Sequence, residues 1–280
     1  MRVEPLRFAV LALALTVGTA GVSPSPAAGA EMSAAGPPLE TVEANHRTFF
    51  PEGDGPFPTV VAVPGCSGVS LDGPATDAGR PGDEGDRLFR RHYRRMADRL
   101  SEHGLGVVLV DYLTAEGVAN TCRGEIAHER VGEYIATALE FARTLPRVDS
   151  TRLYVVGWSH GGAGVLSWLG ALGESPTPAA RAVAVYPSCG SKTPWASDMP
   201  ILMLLGDADD ITPPEECDEL TQRLPDSARV QVRHYADARH GFDMTEGPEV
   251  LQLAEGITIG RNERAGEEAW RELFAFLADH

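Results

Sequence analysis

Three observations predict an α/β domain built on a parallel sheet. Near-continuous apolar runs alternate with segments of helical period, the pattern of strands buried on both faces and joined by crossover helices. A Gly-x-Ser-x-Gly turn, Gly157-Trp158-Ser159-His160-Gly161, links one such run to a helical segment. The polar residues that stand out follow the carboxyl ends of the predicted strands, where open α/β sheets bind their ligands.

Taken in order, Glu40 to Phe50 reads as an edge strand, with Pro56-Phe57-Pro58 after it. Thr59–Val63 is continuously apolar, as a central strand should be, and ends at Pro64-Gly65-Cys66. Residues 69–86 are rich in Gly, Asp and Pro and read as a mobile surface loop. Leu88, Phe89, Tyr93, Met96, Ala97 and Leu100 recur at helical spacing, predicting a helix from about Asp86 to His103 that Gly104 and Gly106 close. Val107–Val110 is a strand ending at Asp111-Tyr112, and Glu125 to Leu145 a helix stopped by Pro146. Residues 152–156 form the strand before the serine turn, with a small-residue helix from Ala163 to Leu172 after it. Strands follow at 181–186, 201–205 and 230–235, with helices at Pro214–Leu224 and Glu263–Leu277. Trp270, Leu273, Phe274 and Leu277 share one face of the last helix.

The chain has 280 residues, enough for one large α/β domain. Arg2 and Arg7 accompany an apolar run from Phe8 to Val17, and Ala28-Gly29-Ala30 supplies small residues for cleavage. That run falls short of the ~20 residues a bilayer span takes, so residues 1–30 read as a cleaved secretory signal. Residues 31–38 read as a disordered leader and 39–280 as the single domain. The mature protein is expected to be secreted or periplasmic, without a membrane span. Removing the signal takes the net charge from −16 to −17. A chain this acidic repels nucleic acid and anionic membrane, and no basic patch with interleaved aromatics appears.

Four cysteines, Cys66, Cys122, Cys189 and Cys217, are spaced without C-x-x-C or zinc-ligand intervals. In an exported chain an even count favours disulfides; four buried thiols are the plainer alternative.

The serine turn points to a nucleophile. Gly157 and Gly161 flank Ser159 because a Cβ there would collide with the neighbouring strand and helix, and the hydroxyl is lifted above the sheet at a helix N-terminus. Downstream, strand 201–205 runs into Gly206-Asp207-Ala208-Asp209-Asp210-Ile211-Thr212-Pro213, and strand 230–235 into Arg239-His240-Gly241-Phe242. The acidic run is no calcium loop, because Ile211 and Thr212 stand where an EF-hand needs ligands and then Gly.

Gly-x-Ser-x-Gly-Gly, the Gly-x-x-Asp loop with its Thr-Pro, and His-Gly-Phe together make residues 40–280 resemble the α/β-hydrolase superfamily, closest to its dienelactone-hydrolase-like branch. The resemblance implies an α/β-hydrolase fold without a large cap, Ser159 as nucleophile, Asp209 as acid and His240 as base, in the chain order of that superfamily. It implies oxyanion donors at the backbone N–H groups of His160 and Cys66. No metal or cofactor is needed for such acyl transfer. The strands before Cys66 and Cys122 should then be neighbours, as should those before Cys189 and Cys217, which pairs Cys66 with Cys122 and Cys189 with Cys217.

Dienelactone hydrolases carry cysteine where this chain has Ser159, so the resemblance implies general ester hydrolysis, a carboxylesterase acting on small or exposed esters. Only 14 residues, Pro187 to Pro200, separate two strands where many hydrolases insert a cap, so the site should be open. Tyr112, Trp158 and Trp195 are the candidate pocket aromatics. A polyester hydrolase or cutinase shares Gly-Trp-Ser-x-Gly-Gly, and prolyl-oligopeptidase-like peptidases share Gly-x-Ser-x-Gly-Gly but usually add a propeller. A non-catalytic binding protein on the same fold is the reading from another class, and three intact motifs speak against it.

Overall fold

The apolar runs pair side by side in one seven-stranded sheet: β1 (His46–Phe49), β2 (Phe57–Val63), β3 (Gly106–Val110), β4 (Val148–Trp158), β5 (Arg181–Val185), β6 (Ile201–Gly206) and β7 (Val230–Tyr235). Their order is β1-β3-β2-β4-β5-β6-β7. Every pairing is parallel except that of β1, which runs antiparallel to β3 at the edge. The computed structural model describes residues 36–69, 83–172, 179–190, 192–253 and 257–278. The predicted signal over 1–30, residues 31–35 of the leader and loop residues 70–82 lie outside them.

Strand alternation divides the apolar side chains between two cores. Val61, Val63, Val108 and Val155 face one side, where they pack with α1 (Leu39–Ala44), α4 (His128–Thr144), α5 (His160–Leu172) and α6 (Pro214–Gln222). Val60, Ala62, Val107 and Val156 face the other, against α2 (Asp83–Glu102) and α7 (Glu263–Ala278). Residues 60–63 are all 0% exposed. Each of the three valines contributes about 1.5–3 kcal/mol by leaving water, and Ala62 less, which is why β2 is apolar without alternation.

The expected edge strand over 40–50 is corrected in its first half. Residues 39–44 form a helix in which Val42 alone is buried, packed in the core that α4 also lines. One apolar contact per turn with acidic neighbours suits a short surface helix better than a pleated edge. The leader ends against the fold: Thr137 Oγ1 donates to Pro37 O at 3.1 Å. Helix α2 starts three residues earlier than predicted, inside the expected loop 69–86. Strand β4 extends to Val148 and Trp158, well beyond 152–156. Three further elements were not foreseen: α3 (Tyr112–Ala115), capped by the Asp111 carboxylate, and the strands β8 (Leu251–Gln252) and β9 (Thr258–Ile259), which pair as a hairpin. Among the described residues no helix is long and apolar enough to cross a membrane.

Candidate active site

The loops after β2, β4, β6 and β7 converge above the sheet. Ser159 sits between β4 and α5 with φ 51°, a left-handed conformation that costs energy for a side chain with a Cβ. Its N–H donates to Val185 O at 2.9 Å and its carbonyl accepts from Ala163 at 2.9 Å, so the strain is held from both sides. A Cβ on Gly157 would strike the backbone of Gly161, and one on Gly161 would strike the carbonyls of Val63 and Pro64. Both glycines are therefore fixed by close backbone approach.

His240 Nε2 lies 2.8 Å from Ser159 Oγ, and its Nδ1 lies 2.8 Å from Asp209 Oδ2. Asp209 Oδ1 accepts from the N–H groups of Ile211 and Thr212, both at 2.9 Å, while Thr212 Oγ1 donates to Oδ2 at 2.8 Å. Burial pushes the Asp209 carboxyl up, but the His240 ring and the Thr212 and Ile211 donors outweigh it and hold the group below the usual carboxylate range. The carboxylate thus stays ionised beside the imidazole. Gly260 N–H donates to His240 O at 3.0 Å, so the hairpin that sequence reasoning missed anchors the histidine loop.

The three aspartates of the acid loop have separate partners. Asp207 meets His234 Nδ1 at 2.7 Å, and Asp210 accepts from Thr258 N–H and Oγ1 at 3.2 and 2.6 Å. Asp209 alone reaches His240.

The loop after β2 is pinned at several points. Gly65 N–H donates to Tyr93 OH at 2.6 Å, Tyr112 OH lies 3.1 Å from both Pro64 O and Gly65 O, and Cys66 O accepts from Thr121 N–H at 2.9 Å. Among the described residues no backbone acceptor meets the N–H of Cys66 or of His160. The structure bonds Cys66 to Cys122 (Cα–Cα 4.8 Å) and Cys189 to Cys217 (4.9 Å). The first ties this loop to the segment before α4, and the second ties the segment after β5 to α6.

A cleft of about 420 Å³ opens at Ser159, with walls that include His160, the Cys66–Cys122 bridge, His128, Ser188 and Ile211. The three expected pocket aromatics lie elsewhere. Tyr112 is fully buried behind the β2 loop. Trp158 is fully buried on the α2/α7 side, its Nε1 donating to Asp243 Oδ2 at 2.9 Å. Trp195 is 2% exposed in the opposite core. Trp158 therefore gives no support to a polyester substrate.

Sequence reasoning also missed Tyr186 and Asp243. Tyr186 has φ 39°, packs its ring 4.6 Å from His240, and donates to Asp243 Oδ1 at 2.8 Å. Asp243 is buried. That burial raises its carboxyl, yet the His92 ring 3.3 Å away and the Tyr186 and Trp158 donors bring it below its ordinary value. Its place three residues after His240 was the one available signal.

The family model for the dienelactone hydrolase family matches residues 88–280. The chain belongs to the dienelactone hydrolase family. It is a hydrolase with the α/β-hydrolase fold of that family. Among solved structures, a putative dienelactone hydrolase from Klebsiella pneumoniae is 19% identical, with TM-score 0.62, covering 84% of this chain and 92% of that one. A dienelactone hydrolase-like promiscuous phosphotriesterase from metagenomic libraries is 18% identical, with TM-score 0.58, covering 85% and 94%. A putative dipeptidyl aminopeptidase IV from Bacteroides ovatus is 17% identical, with TM-score 0.55, covering 83% of this chain and 33% of that one. At these identities the likeness is one of fold. Comparison with curated protein sequences finds no match. This chain carries serine at position 159 and two disulfides.

Proposed function

We propose that this dienelactone hydrolase family member is an exported serine esterase that cleaves small or exposed carboxylic esters through an acyl-enzyme. The observation that carries the reading is the unbroken path from Ser159 Oγ through both nitrogens of His240 to Asp209, each step 2.8 Å.

A serine hydroxyl is too weak an acid to attack unaided. As Oγ of Ser159 bonds to the ester carbonyl carbon, its proton passes to His240 Nε2, and ionised Asp209 stabilises the imidazolium and fixes its tautomer. The carbonyl oxygen becomes an oxyanion and takes hydrogen bonds from the N–H groups of Cys66 and His160. His240 then protonates the departing alcohol. Water repeats the sequence on the acyl-enzyme and releases the acid. No step calls for a metal or cofactor.

The segment from Pro187 to Pro200 has no helix among its described residues, which supports an open site and a substrate that need not thread a tunnel. Two disulfides and the signal-like residues 1–30 support export. Residues 39–280 act as one domain in this reading, and the strong negative charge argues against nucleic acid or anionic membrane as partners. Steady-state kinetics on p-nitrophenyl acetate, p-nitrophenyl palmitate and a peptide p-nitroanilide test it. The acetate should be turned over fastest and the anilide hardly at all; preferred cleavage of the anilide would make the protein a peptidase.

A further inference from the structure

A buried titratable cluster outside the Ser159–His240–Asp209 path opens on the same cleft. Lys192 is the chain's only lysine, and its side chain is 1% exposed. Burying an ammonium is costly unless its protons find acceptors. Lys192 Nζ lies 2.8 Å from His128 Nδ1 and 2.8 Å from Ser167 Oγ, with Glu129 Oε1 at 4.0 Å.

A protonated lysine offers donors only. Burial lowers the Lys192 ammonium and Glu129 acts against that. Facing the charged form, Nδ1 of His128 is the acceptor and the ring proton sits on Nε2. Burial, followed by the charge of Lys192, pushes the His128 imidazolium down to about 4, so the ring is neutral at neutral pH. Among the described residues Nε2 has no partner and is not sealed from solvent. The ring lines the cleft and packs 4.4 Å from His160, on the oxyanion side. Besides Oγ the attacked carbon has three substituents. The leaving alcohol points to His240 and the carbonyl oxygen to the Cys66 and His160 N–H groups. The third direction, that of the acyl group, is left to the cleft whose wall His128 forms.

We propose that His128 is a specificity residue whose Nε2–H donates to an oxygen carried on the acyl part of the substrate, favouring esters of oxygen-bearing acids over plain alkanoates. Lys192 is the positioning residue that fixes this tautomer. The proposal rests on the esterase reading above.

p-Nitrophenyl methoxyacetate and p-nitrophenyl butyrate have acyl groups of equal length that differ by one ether oxygen. Their kcat/KM ratio, compared between wild type and variants, cancels the intrinsic reactivity of each ester. His128→Phe should lower the ratio about fivefold, the weight of one neutral hydrogen bond. His128→Gln, which keeps an amide donor, should recover most of it, and Lys192→Met should lower it by a smaller factor. A ratio unchanged in His128→Phe overturns the proposal and leaves the esterase reading intact. If wild type hydrolyses neither ester, the esterase reading fails instead. Long-range ¹H–¹⁵N NMR of the histidine rings then judges His128 alone. A proton on Nε2 in wild type, lost or mixed in Lys192→Met, supports the assignment; a proton on Nδ1 in wild type overturns it.

Discussion

Asp209 Oδ2 and His240 Nδ1 lie 2.8 Å apart although the two residues follow different strands, β6 and β7. Both ends of the contact are fixed by backbone: Asp209 by the N–H groups of Ile211 and Thr212, His240 through Gly260. The imidazole is therefore oriented toward Ser159 before any substrate arrives.

Replacing that acceptor with an amide should present the wrong tautomer to the serine. Asp209→Asn is expected to lower kcat by about 10³- to 10⁴-fold. Asp207→Asn and Asp210→Asn, whose partners are His234 and Thr258, should each cost less than tenfold. Ester turnover by the three variants checks the order, and a larger loss at Asp210 would reassign the acid.

Two cleft histidines should make the fold acid-sensitive. His128 and His160 are each lowered to about 4 from 6.5, first by burial, then by Lys192 for His128 and by His128 for His160. Between those values the unfolded chain binds more protons than the folded one, so stability is full above about 6.5 and falls as pH drops toward about 4. The urea midpoint should decline from pH 7 to pH 5, and decline less in His160→Gln. Equal declines in the two proteins would contradict this.

The two disulfides differ in access. Cys122 is exposed and Cys66 partly so, whereas Cys189 and Cys217 are buried. Mild dithiothreitol should open Cys66–Cys122 first, loosening the loop that carries the Cys66 N–H and slowing ester hydrolysis while far-UV circular dichroism is unchanged. Opening Cys189–Cys217 should follow and destabilise the fold by up to about 4 kcal/mol. Loss of circular dichroism before loss of activity would reverse the assigned roles.

The parallel sheet and the strand ends near Ser159, Asp209 and His240 were legible because burial on both faces leaves an unbroken apolar run, and turn glycines mark where it stops. The β8–β9 hairpin was not, since two-residue strands have no period to read. The aromatics misled for a different reason. Composition says that Trp158 is large, but strand alternation decides its side: it shares a face with Tyr154 and Val156, away from the cleft. Tyr112 serves the site through the carbonyls of Pro64 and Gly65, a contact between segments 47 and 48 residues apart that no local pattern encodes. His128 and Lys192, 64 residues apart, are hidden in the same way.

The most direct measurement is turnover of p-nitrophenyl acetate by Ser159→Ala beside wild type, with fluorophosphonate labelling mapped by peptide mass spectrometry. The expected result is a loss of about 10⁶-fold in kcat and a wild-type adduct on Ser159 that the variant lacks. Turnover within tenfold of wild type, or an adduct on another residue, would contradict a serine-centred mechanism.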